Sequence, residues 1–320
     1  MRVSLSLVNR CWAALAIAAL VSLGAAPAGA QDARPEPLVR AVRSAITAGQ
    51  FERAISLVDQ RRAAAGATPE VIAAISWLGR GAYAAGRLDE AAQFAAEAHD
   101  LALEALKTTR LEDSADLEIG LGAAIETEGL VRAARGARAE AVYFLSRELE
   151  TYAGSPIHKR LQKNINLLSL EGAKAPALQT AELIGSVRSL DAMNGNVVLL
   201  FFWAHWCGDC KAQAPIVASV LEKYRAQGLR LVAPTQRFGY IVAGTAAPPQ
   251  AERRHIEAVR DQYYPFLKTA PVPLDVANHQ RYGVSTTPTL VVVDRLGIVR
   301  LYHPGNMTEA ELEAAIRPLL

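Results

Sequence analysis

The stretch Gly195-Asn196-Val197-Val198-Leu199-Leu200-Phe201-Phe202-Trp203-Ala204-His205-Trp206-Cys207-Gly208-Asp209-Cys210-Lys211 decides the fold. Its first half is a continuous apolar run of strand length. A strand covered on both faces in an α/β sheet is written this way, because neither face needs polar residues. Its second half sets two cysteines where the strand ends and a helical pattern begins at Lys211. A sulfur in that position meets the free N–H groups and the positive end of the helix, which favour its anion, the nucleophilic form. A structural staple gains most by closing a long loop, and Cys207 and Cys210 close almost none. The expected role of the pair is therefore chemical.

The remaining cysteine, Cys11, lies in a segment that reads as an export signal, residues 1–30. Arg2 and Arg10 give it a positive start, an apolar run extends from Cys11 to about Ala26, and Ala28-Gly29-Ala30 offers a cleavage site before Gln31. The run is short against the roughly 20 residues of a spanning helix. The expectation is an exported, periplasmic protein, with an uncleaved anchor as the alternative. Disulfides persist in such a compartment. Without Arg2 and Arg10 the 34 basic residues fall to 32, equal to the 32 acidic ones. A near-neutral chain of this kind is not built to bind nucleic acid by bulk charge.

A mature chain of roughly 290 residues suggests two domains. The first, residues 31–172, is rich in Ala, Leu, Glu and Arg at helical spacing, as in Leu88, Ala91, Ala92, Ala95 and Ala98. Three segments are alike: Gly49-Gln50-Phe51-Glu52-Arg53-Ala54, Gly86-Arg87-Leu88-Asp89-Glu90-Ala91 and Gly136-Ala137-Arg138-Ala139-Glu140-Ala141. Glycine allows a turn between antiparallel helices, and alanine allows their close approach. With Leu78-Gly79 ahead of Gly86 and Ala98 after it, the pattern resembles a degenerate tetratricopeptide repeat. That resemblance implies a concave face for a protein partner; a plain helical bundle or spacer is the alternative. His99 and His158 read as solvated helix residues.

The second domain, residues 173–320, begins with Lys174-Ala175-Pro176. The expected elements are a short strand pair within Leu183–Leu190, the strand ending at Trp203, and a helix over Lys211–Ala226 containing Pro215. A strand over Leu229–Ala233 should run parallel to the first, followed by a helix over Glu252–Gln262. A hairpin of Thr289–Val293 and Ile298–Tyr302 follows, and then a helix capped by Thr308 and Glu311. The loop from Thr235 to Gln250, with Phe238 and Tyr240, would leave the sheet on the same side as the dithiol and border a substrate groove.

Trp206-Cys207-Gly208-Asp209-Cys210, with Thr286-Thr287-Pro288-Thr289 before a strand and Tyr282-Gly283-Val284 upstream, resembles the thioredoxin superfamily, and within it the exported TlpA/ResA branch. The fold class implied is an α/β thioredoxin-like domain, a mixed sheet flanked by helices, after an all-α helical-repeat domain. The activity implied is thiol–disulfide exchange. Cys207 attacks, and Cys210, more buried one turn on, resolves the mixed disulfide; the redox-active disulfide is the only cofactor. The resemblance also implies that Pro288 is cis and faces the dithiol, that Thr287 pairs with an extended substrate through its backbone, and that Trp206 shelters the sulfurs. Asp209, if charged, opposes thiolate formation at Cys207. His205, if protonated, favours it, although a solvated loop histidine is the plainer reading. The family often places an acid where Phe201 or Gln213 stands, and neither is acidic here.

The implied partners are cysteine-containing exported proteins and a membrane thiol donor. Two other functions compete. One is a non-catalytic docking module with an idle dithiol. The other is a thiol peroxidase, which would want a threonine where Ala204 stands. A metal site from Cys207, Cys210 and His205 lacks an evident fourth ligand.

Overall fold

Gly49, Gly86 and Gly136 each end a helix in the left-handed region, with φ of 72°, 74° and 90°. The computed structural model describes residues 37–185, 187, 189–190 and 193–320, and these glycines organise its first part. They join α1 (Leu38–Thr47) to α2 (Phe51–Ala65), α3 (Pro69–Ala84) to α4 (Leu88–Ala105), and α5 (Ala115–Ala134) to α6 (Arg138–Thr151). The three turns close identically. Gln50, Arg87 and Ala137 donate their backbone N–H to the carbonyls of Ala45, Ala82 and Arg132, at 2.8, 2.9 and 3.0 Å, the bond expected where a positive-φ residue terminates a helix. Ala54, Ala91 and Ala141 are fully buried at the crossings. Thr68 and Ser114 cap α3 and α5 through their hydroxyls. A seventh helix, α7 (His158–Ser169), completes the array.

His99 and His158 depart from the solvated reading. His99 sits between helices, its Nδ1 2.7 Å from Glu128 Oε1. Burial alone would lower it, but the bond to Glu128 and the charges of Glu128, Glu148 and Asp100 leave it raised. His158 has a buried Nδ1 with no hydrogen-bond partner among the described residues.

In the second part, β1 (Leu183–Ile184) precedes β2 (Val197–Phe202), which leads to α8 (Gly208–Tyr224) and β3 (Leu229–Val232). After β4 (Tyr240–Val242) and β5 (Thr245–Ala246) come α9 (Pro249–Tyr263), β6 (Val272–Pro273) and α10 (Val276–Arg281). β7 (Thr289–Val293), β8 (Val299–Pro304) and α11 (Glu309–Ile316) close the chain. The main sheet has the order β3-β2-β7-β8, with β2 parallel to β3 and antiparallel to β7. All six residues of β2 are buried. Val197, Leu199 and Phe201 face one core with Val217 and Val220 of α8, while Val198, Leu200 and Phe202 face another with Tyr282 and Val284. That two-sided burial is why the strand reads as an unbroken apolar run. Thr308 and Glu311 form the expected capping box.

Among the described residues, the strand pair anticipated within Leu183–Leu190 is replaced by a pairing with a distant strand. Leu183 and Ile184 pair instead with Pro273 and Val272 of β6, and Ser186 and Arg188 lie outside the described residues. The loop from Thr235 to Gln250 carries the small β4–β5 hairpin, which its glycines Gly239 and Gly244 punctuate at φ of 84° and 80°. The leader, 1–30, with Cys11, and residues 31–36 also lie outside the described residues. No helix among the described residues is long and apolar enough to cross a membrane.

Pro37–Leu320 forms one compact unit, in which α7 packs against α10 and β8. Asn166 Nδ2 donates to Arg281 O at 3.3 Å, and Glu171 Oε1 accepts from Tyr302 N at 3.0 Å.

Candidate active site

The end of β2 is fixed before the cysteines arrive. Trp203 is fully buried; its Nε1 donates to Ala233 O at 3.1 Å, and Thr235 Oγ1 donates to Trp203 O at 2.8 Å. The chain then turns so that Cys207 is the N-cap of α8, extended at φ −77° and ψ 112°. Its Sγ accepts from Cys210 N at 2.9 Å, the capping contact usually made by an oxygen. Cys207 and Cys210 are joined in a disulfide, with Cα atoms 5.3 Å apart. Cys207 is 3% exposed and Cys210 is sealed at 0%.

The Thr287–Pro288 peptide is cis, and the Thr287 carbonyl oxygen lies 3.5 Å from Cys207 Sγ. The strand-to-helix turn and the loop ahead of β7 thus meet at one sulfur. Trp206 is half exposed, its ring edge-on to Phe238 with centroids 5.4 Å apart. Phe238 brings the loop after β3 to the dithiol. Glu252, itself buried, anchors that loop by accepting from Phe238 N at 2.5 Å and Gly239 N at 3.0 Å.

His205 is not a solvated loop residue. It is 2% exposed and packs among Phe238, Tyr240 and His255, with centroid distances of 5.6, 5.8 and 5.1 Å. The reason is the apolar loop folded over it. Burial, then the neighbouring His255, push it below the usual imidazole range against the pull of Glu252, whose Oε1 is 3.5 Å from Nε2. At neutral pH it is uncharged and supplies no cation to Cys207. Asp209 is exposed in the first turn of α8. Gln213 is buried, its Oε1 accepting from Met307 N at 2.8 Å while Nε2 has no partner. Phe201 packs on Tyr264. Neither position offers a proton acceptor for Cys210.

A cleft of about 330 Å3 opens beside Thr287 and Trp206. Gln236 and His279, which the sequence reading did not single out, line it. His279 lies on α10, a helix of six residues too short for its periodicity to show. No group of three His, Cys, Asp or Glu residues among those described could hold a metal ion.

A family model described as Redoxin matches residues 170–316. The chain is 31% identical over 144 residues to Thioredoxin-like protein YneN of Bacillus subtilis (strain 168), an overlap of 45% of this chain and 76% of YneN. It is 25% identical over 144 residues to Thiol-disulfide oxidoreductase ResA of Geobacillus kaustophilus (strain HTA426), covering 44% of this chain and 74% of that protein. A crystal structure of a thiol-disulfide isomerase from Corynebacterium glutamicum is also similar, at 17% identity and a TM-score of 0.39, over 47% of this chain and 96% of that one. Through its C-terminal part the chain belongs to the thioredoxin superfamily, as a ResA-like thiol–disulfide oxidoreductase.

Proposed function

We propose that the protein is an exported enzyme that exchanges disulfides with cysteine-containing proteins through Cys207 and Cys210. The observation that supports this reading best is the position of Cys207 Sγ, at the start of α8 with Cys210 N at 2.9 Å and the Thr287 carbonyl at 3.5 Å. In the reduced protein, the amide N–H groups at the helix start favour the Cys207 thiolate. That sulfur attacks one sulfur of a substrate disulfide. A mixed disulfide forms, and the departing substrate sulfur takes up a proton. Cys210 then loses its proton and attacks Cys207 Sγ. The Cys207–Cys210 disulfide forms and the second substrate thiol leaves. Two electrons pass from the enzyme to the substrate, and the reverse sequence oxidises a dithiol. No further cofactor is needed, because the electrons move between sulfur atoms.

Thr287, held by cis Pro288, pairs its backbone with an extended substrate segment, and Trp206 covers one side of the sulfurs. The helical part, 31–172, offers a face to a protein partner, and a membrane thiol donor returns the enzyme to its dithiol form. The oxidised protein in the presence of dithiothreitol should reduce insulin disulfides faster than dithiothreitol alone. A rate equal to that background would overturn the exchange reading and favour a docking role.

A further inference from the structure

The first turn of α7 forms a wall of the cleft beside the dithiol. Ile157 and Lys159 line the cleft together with Trp206, Phe238 and Thr287 of the thioredoxin-like part. This wall lies outside residues 170–316, the part matched by the Redoxin family. It is held in place by Gly283, which has φ of 59°, and whose missing side chain leaves room for the backbone of α7.

Three polar groups on the cleft are incompletely partnered. Gln236 is 4% exposed and its Oε1 accepts no hydrogen bond. His279 is 1% exposed; neither ring nitrogen makes a well-aligned hydrogen bond, and the Trp203 backbone is the polar group that acts on the ring. Burial and then the charge of Lys159 lower His279 to about 3, with the Trp203 backbone pulling the other way, so the ring presents one donor and one acceptor. Lys159, half-buried, makes no ion pair among the described residues. Buried polar groups are normally satisfied, so Gln236 and His279 mark positions that a ligand's polar groups can fill. The other charges on the cleft are less available. Arg160 is engaged by Glu126 at 3.5 Å and by the Ile119 carbonyl at 3.3 Å. Glu118, also on the cleft, has its carboxyl raised by burial and then by Glu112, and its negative charge works against Lys159, so the preference is read as the difference that Lys159 makes.

We propose that this cleft binds the substrate segment flanking the reactive cysteine, and that Lys159 selects segments carrying an aspartate or glutamate there. The inference rests on the exchange reading of Cys207 and Cys210. An extended peptide entering along Thr287 meets the Gln236 carbonyl oxygen as an acceptor for an amide N–H. It meets His279 as a partner for a further backbone group and the Lys159 ammonium as a counter-charge. A basic residue in the same place is repelled by Lys159, which sharpens the choice.

The test uses the Cys207→Ser/Cys210→Ser double variant of the full chain. Its binding is measured to three peptides that differ only in Glu, Gln or Lys beside a serine replacing the substrate cysteine. The Glu peptide should bind about tenfold tighter than the Lys peptide at low salt. Lys159→Gln should erase the difference, and Lys159→Glu should invert it. Equal binding of all three peptides, binding of none, or a Glu preference that survives both substitutions would overturn the proposal. A thermal melt of Lys159→Gln that matches the parent ties any loss to charge and not to folding. Because this assay involves no thiol chemistry, its failure is distinct from failure of insulin reduction.

Discussion

A methyl group placed on Gly283 would meet the backbone nitrogen of Lys163 and come within 2.6 Å of Lys163 Cα. The glycine between α10 and the Thr287–Pro288 turn is therefore where α7 of the helical part docks. Gly283→Ala must strain a residue at φ of 59° and push α7 away. The expected loss is about 2–4 kcal/mol, from backbone strain and overpacking together, read from chemical denaturation. An unchanged denaturation midpoint would show that α7 does not lie against this turn.

His279 gives the fold a pH dependence above the carboxylate range. An unfolded imidazole titrates near 6.5, whereas buried His279 is lowered to about 3. Between these values the unfolded chain binds the extra proton. Stability is complete above about pH 6.5 and falls as the pH drops, by at most about 1.4 kcal/mol per pH unit for one proton. His205 is lowered by burial and acts in the same direction. The contribution of His279 is therefore the difference between the protein and His279→Gln from about pH 6.5 to 4.5. The variant should show the shallower slope in urea denaturation, and equal slopes would place the imidazole in water.

Glu252 holds the Phe238 loop of the cleft by accepting two adjacent backbone N–H groups, from Phe238 and Gly239. Glutamine can offer only one oxygen and turns a donor towards the other amide. Glu252→Gln should cost about 1–3 kcal/mol and raise KM for a protein disulfide more than for a small one, because Phe238 loses its support beside Trp206. Shortening the β4–β5 hairpin should likewise alter substrate choice more than the reactivity of Cys207 towards a small thiol reagent. Equal loss on both kinds of substrate would argue that the loop does not border the groove.

The helix crossings depend on small residues. Ala91 is fully buried, and a side chain added to Gly79 would touch its carbonyl oxygen at 3.4 Å. Ala91→Leu should destabilise the protein by about 1–3 kcal/mol in thermal or denaturant unfolding. Tolerance of leucine there would mean that α3 and α4 are further apart than described.

Much of this was legible because local chemistry and tertiary environment agree. The run Val197–Phe202 is apolar on both faces because both faces are covered, and each of Gly49, Gly86 and Gly136 marks a real reversal. The dithiol at a strand-to-helix junction is visible from Trp206 to Lys211. What escaped depends on contacts between distant parts. His205 reads as a loop residue because nothing adjacent in sequence reveals that Phe238, Tyr240 and Glu252 will close over it. Lys159 and His279 lie 120 positions apart, and only the docking of α7 on α10 brings them to one cleft. Leu183 and Ile184 are too short a strand for alternation to show, and their partner lies in β6.

The sharpest measurement is capture of an oxidised protein substrate by reduced single-cysteine variants. Cys210→Ser, retaining Cys207, should accumulate a mixed disulfide that dithiothreitol releases, because the resolving sulfur is gone, whereas Cys207→Ser should accumulate none. Capture by neither variant, or equal capture by both, would contradict the assignment of Cys207 as the attacking sulfur.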